Sequence, residues 1–142
     1  MRYLRLAVAA SALALTLPYG EVAAQQGNDI TESELARHGY AMPPETEMVI
    51  LIANTGTTLE ASCQIHDGTA GRRADLGSVE GGGQLLSAVD VRQMPGPVWI
   101  QCIEAGDGKR FTSNNIQSVG RTLVHFSTGT HFVVTQKIVP DS

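Results

Sequence analysis

The chain has 142 residues, 10 basic against 14 acidic side chains for a formal charge of −4, and two cysteines. That length suits one domain. The mildly acidic balance excludes recognition of nucleic acid or anionic lipid through bulk charge, since both need a concentrated basic face; the adjacent arginines Arg72-Arg73 read as a solvated loop.

Residues 1–24 read as a signal peptide. Arg2 and Arg5 precede an uncharged run over residues 6–20, which is shorter than the roughly 20 apolar residues a spanning helix needs. Pro18 and Gly20 break any helix there, and Val22-Ala-Ala24 offers small side chains to a signal peptidase. Cleavage after Ala24 is expected, with an uncleaved anchor as the alternative. It removes Arg2, Arg5 and Glu21 and takes the counts from 10 and 14 to 8 basic and 13 acidic, a formal −5 on 118 residues. The expected location is the periplasm or the exterior, with no membrane span after cleavage.

Residues 25–47 are polar and read as an arm that precedes the domain and stays out of its core. Within it Thr31-Glu-Ser-Glu34 matches a capping box, enough for one or two helical turns, with Gly39 as a stop. The domain proper is expected over residues 48–142. It opens with Met48-Val-Ile-Leu-Ile-Ala53, a β-branched apolar run that suits a strand covered on both faces. After a turn at Asn54-Thr-Gly56, residues 58–66 alternate: Leu59, Ala61, Cys63 and Ile65 on one face, Thr58, Glu60, Ser62, Gln64 and His66 on the other. Further strands are expected over residues 73–79, 84–91, 98–105, 110–119, 122–127 and 131–139, separated by Gly- and Pro-rich turns. Seven or eight such strands indicate an all-β fold, an antiparallel β-sandwich, with a small barrel as the runner-up.

Cys63 and His66 stand an odd number of positions apart on one strand and point to opposite faces, so they form no local nucleophilic pair. Cys102, in Val98-Trp-Ile-Gln-Cys-Ile103, shares its face with Val98 and Ile100. Two inward cysteines in an exported chain imply a disulfide, either between packed sheets or between neighbouring strands. The pattern resembles immunoglobulin-like sandwiches, and that resemblance carries the family's inter-sheet staple to Cys63 and Cys102. Trp99 stands three residues before the second cysteine rather than after the first, and Ile100 stands where a tyrosine is usual, so those two roles do not carry over. Residues 48–104 also resemble sandwich modules attached to bacterial surface and periplasmic proteins, which implies an architecture and no activity.

Chemistry-bearing groups are sparse. His125 and His131 flank Phe126-Ser-Thr-Gly-Thr130; a two-residue turn would set them on opposite faces, a three-residue turn would pair them for zinc or copper. Spacing indicates no third ligand, and no metal or other cofactor is assigned. His38, in the arm, and His66, at a strand end, are expected to be solvated. Gly106-Asp-Gly-Lys109 lacks the spaced acidic ligands of a calcium loop, and Gly81-Gly-Gly83 lacks the lysine and helix of a phosphate loop. Glu60, Asp90 and Glu104 are scattered singly, and nothing in their spacing favours paired-carboxylate chemistry. Trp99 shares its face with Gln101 and Ile103, a candidate contact for a protein partner or a sugar unless the arm or a loop covers it. The expectation is a non-catalytic, exported structural or protein-binding module, an accessory subunit of an envelope or extracellular assembly. The alternatives are an inhibitor of a secreted or periplasmic hydrolase and a small metal-binding protein using His125 and His131.

Overall fold

The computed structural model describes residues 24–69, 71–130 and 133–141. The signal-peptide reading, up to residue 23, and the expectation for His131 lie outside the described residues. The strands are β1 (Gln25–Gln26), β2 (Ile30–Thr31), β3 (Glu47–Ala53), β4 (Ala61–Asp67), β5 (Arg72–Val79), β6 (Gln84–Asp90), β7 (Val98–Glu104), β8 (Arg110–Thr112), β9 (Thr122–Ser127) and β10 (Val133–Val139). One short helix, α1 (Glu32–Arg37), follows β2.

Two sheets pack face to face, so the fold is the all-β sandwich expected from the alternation. The smaller sheet has the order β5–β4–β7–β8 and is antiparallel throughout. In the larger sheet the order is β6–β3–β9–β10, with β1 and β2 both laid against the far edge of β10. This sheet is mixed rather than antiparallel, because β9 runs parallel to β3 and both arm strands run parallel to β10. No helix among the described residues is long and apolar enough to cross a membrane.

The central strand β3 sets the layering. Its Met48, Ile50 and Ile52 enter the core between the sheets, joined there by Ile65, Ile100, Val124 and Phe126. Val49 and Leu51 point the other way, where with Leu123 and Ile138 they would leave the back of the larger sheet as an apolar patch. The arm covers that patch: Ile30 and Leu35 are buried in it, with Tyr40 and Met42 packed alongside. Residues 25–47, read from sequence as an arm outside the core, therefore add two short edge strands to the larger sheet and cover its back with α1 and the segment after it. Their polarity hid the few apolar side chains that matter.

The capping box forms as its sequence predicts. The Glu34 N–H donates to Thr31 Oγ1 at 3.2 Å, and the Thr31 N–H donates to Glu34 Oε1 at 2.9 Å. The bond from the Thr31 backbone and then that from its hydroxyl hold the Glu34 carboxyl below the usual carboxylate range. At the same end, the Ser33 N–H donates to the Asp141 carboxylate at 3.1 Å, which places a carboxylate at the first turn of α1.

Two boundaries differ from the sequence reading. Strand β4 begins at Ala61, and Leu59 is 46% exposed, because residues 54–60 loop around the side chain of Asn54 instead of extending the strand. Strand β8 ends at Thr112, after which residues 113–121 meet β7 only at Ser113, bonded to Ile100, and at an isolated bridge between Val98 and Ile116. A Cβ at Gly120 would collide with the Glu45 carbonyl, and Arg121 beside it takes a left-handed backbone with φ 52°.

Candidate binding face

Cys63 and Cys102 are direct partners in the β4–β7 register, with Cα atoms 4.0 Å apart, and they form a disulfide. The separation belongs to the closer type of antiparallel pair. The inter-sheet staple implied by the immunoglobulin-like resemblance is thus corrected to a bond between neighbouring strands of one sheet. Both sulfurs are buried in the core and neither cysteine is free. Such a bond is compatible with an oxidising compartment outside the cytoplasm.

With the cysteines facing in, their strand neighbours face out. The same register sets His66 beside Trp99, Gln64 beside Gln101 and Ser62 beside Ile103. Strand β5 adds Arg73 opposite His66, Asp75 opposite Gln64 and Ser78 opposite Ser62. On the other side, β8 adds Thr112 opposite Gln101 and Arg110 opposite Ile103. Trp99, Gln101 and Ile103, singled out from sequence, therefore line one edge-to-edge strip at the middle of this outer face. The arm that could have covered Trp99 lies on the other sheet.

Hydrogen bonds between these side chains hold the strip in order. Gln64 Nε2 donates to Asp75 at 3.0 Å, Gln101 Nε2 donates to Thr112 Oγ1 at 3.3 Å, and Arg110 donates to Gln101 Oε1 at 3.3 Å. Among the paired residues of this face, Arg73 and Arg110 are exposed, as is Asp75. Residues 25–47, on the opposite side of the sandwich, carry five acidic side chains and one basic.

His66 departs from the solvated role expected of it. Its ring stacks on Trp99 with centroids 5.4 Å apart and planes within 6°, and its Nε2 is closed to solvent without a hydrogen-bond partner. Trp99 is in turn half-buried, since its six-membered ring lies over Gly68, where a Cβ would come within 2.7 Å. Asp67, read only as part of the turn, is buried and accepts from the N–H groups of Thr69 at 2.9 Å and Gly96 at 3.2 Å. One end of the strip is therefore a stacked aromatic pair beside the Asp67 carboxylate.

The remaining candidates do not converge. Asp90 lies on the larger sheet in an ion pair with Arg92 at 2.8 Å, whereas Glu104 is buried at the end of β7. Among the described residues no three His, Cys, Asp or Glu side chains come close enough to hold a metal ion. His125 sits on the back of the larger sheet, opposite Leu51 and Val134. Partial burial, and then the charge of His38 at the end of α1, hold its imidazole below the usual histidine pKa. His38 itself is exposed, as its place in the arm implied.

Sequence reasoning missed one concavity. A groove of about 550 Å³ opens between β10, the arm's start at Ala24 and Gln26, and residues 115–121. It exists because β8 ends at Thr112, and the sequence signal for that end was the turn-forming run Ser113-Asn-Asn115.

No family model matches the chain, and no curated protein matches it. A solved structure, the NMR structure of a protein from Eubacterium rectale, is similar at 11% identity and a TM-score of 0.40, over 68% of this chain and 92% of that one. A likeness of that size assigns neither a fold family nor a function.

Proposed function

We propose that this chain is an exported, non-catalytic structural or protein-binding module, an accessory subunit of a cell-envelope or extracellular assembly. Its partner is a protein that docks on the outer face of the smaller sheet. The observation carrying this reading is the strip of Trp99, Gln101 and Ile103 flanked by Arg73 and Arg110. Tryptophan and arginine are the side chains most enriched among residues that dominate protein interfaces, and a Trp already held by His66 and Gly68 loses little freedom on binding. The disulfide supports an oxidising destination. The arm contributes to the module's own fold in this reading, and the docking role passes to the opposite face.

The test is capture from the source organism's envelope and exterior fractions with tagged native protein and with a Trp99→Ala, Ile103→Ser variant. A specific protein retained by the native chain and reduced about thirtyfold or more in the variant is expected, matching the 2 kcal/mol threshold of a dominant interface residue. A native protein that runs as a monomer and retains nothing, or retains the same protein as the variant, overturns the reading.

A further inference from the structure

The groove beside β10 is a concavity lined by different residues from those of the Trp99 face. Its floor is the fully buried Ile116, its rim carries Val119 at 53% exposure, and Val139 and Pro140 continue the apolar wall. Thr135, Lys137 and Val139 alternate with the outward Ile138, so they face the side on which β8 has already ended. The groove is preformed, because its turn is fixed from both flanks. The Arg121 N–H donates to the Glu47 carbonyl at 2.6 Å, and the Ile138 N–H donates to the Arg121 carbonyl at 2.8 Å.

Two cations line the groove, and they differ. Arg121 is engaged, with its Nε on the Pro43 carbonyl at 2.9 Å and its guanidinium 3.9 Å from Glu45. Lys137 is exposed and has no ion pair among the described residues. The lining also carries Gln26, Asn115, Gln117, Thr122 and Thr135, but its exposed surface is mainly apolar, as in the usual small-ligand cleft of several hundred cubic ångströms. Its lining holds no aromatic ring on which a base, sugar or planar cofactor would stack. Aliphatic walls with an ammonium beside them complement an aliphatic chain that ends in an anion.

We propose that this groove binds one free fatty acid, the acyl chain lying along Val119, Val139 and Pro140 over Ile116 and the carboxylate pairing with Lys137. The Trp99 face takes no part. The experiment uses purified protein, 11-(dansylamino)undecanoic acid as the fluorescent probe, and displacement by dodecanoate, tetradecanoate and dodecanol, with amide chemical shifts followed during the titration.

Saturable binding is expected, with shifts at Val119, Gly120 and Lys137 and none at Trp99. Affinity rises by up to about fourfold per added methylene, the factor given by the transfer free energy of one CH₂. Lys137→Gln weakens the acids about tenfold and leaves dodecanol unchanged, while Val119→Asp, at an exposed position, weakens both. Absence of saturable displacement overturns the proposal, as does unchanged binding in Val119→Asp. Equal affinity for dodecanoate and dodecanol, with no effect of Lys137→Gln, overturns the assignment of the head group. Binding only to anionic phospholipid vesicles, with no displacement by free acid, overturns the choice of ligand. None of these outcomes bears on protein capture by the Trp99 strip, so the two readings stand or fall separately.

Discussion

Asn54 is fully buried, yet each of its polar atoms is answered. Its Nδ2 donates to the carbonyls of Leu59 at 3.0 Å and Val79 at 3.2 Å, and its Oδ1 accepts from Thr128 Oγ1 at 2.9 Å. A satisfied buried amide of this kind ties three loops into one arrangement, whereas an unsatisfied one would cost about 1–3 kcal/mol. Titration matters at one other single residue. The folded-state pKa of His125 lies below its ordinary value, so the unfolded chain binds more protons on acidification and stability falls. That contribution is complete above about pH 6.5, the unfolded value, and is lost as pH drops through the lower folded one. Urea unfolding at pH 7.5 and pH 5 should show the native protein losing more stability than His125→Gln; an equal loss in both would place the acid sensitivity elsewhere.

Among the elements, α1 shows most plainly how local and tertiary forces divide the work. Six residues are too few for a helix to persist alone in water, even with both halves of a capping box. What fixes it is Leu35, fully buried over Val49, Leu51, Leu123 and Ile138. Leu35→Ala should therefore lower the unfolding free energy by about 2–5 kcal/mol, the range for emptying a closed apolar site. Denaturant unfolding measures it, and limited proteolysis should find new cleavage within residues 25–47 before the sandwich opens. A loss below 0.5 kcal/mol would mean that the helix rides on the sheet without supporting it. The capping box was legible in sequence because it spans four consecutive residues. The docking was not, because Ile30 and Leu35 stand alone in a polar segment and their partners lie on strands far along the chain.

At the scale of the whole molecule, the disulfide joins the two central strands of a four-stranded sheet whose outer face is solvated. It links positions 39 residues apart, for which the loop-entropy model gives about 4 kcal/mol. Replacing both cysteines with serine should remove about that much from the unfolding free energy, and reductant should do the same to the native protein under partial denaturation. Indifference to reductant would show the sheet to be held without the bond. The sequence by itself determined the faces: Cys63 and Cys102 inward, Trp99, Gln101 and Ile103 together on the other side, and β3 apolar on both. A period of two places side chains above or below a strand without reference to any other strand. Tertiary structure alone decided the neighbours: Cys63 opposite Cys102 within one sheet, His66 against Trp99, the arm over the back of β3, and a groove where β8 falls short. Pairing and register arise between residues far apart in the chain, and they depend on which alignment buries the most apolar surface while leaving no backbone group unpaired.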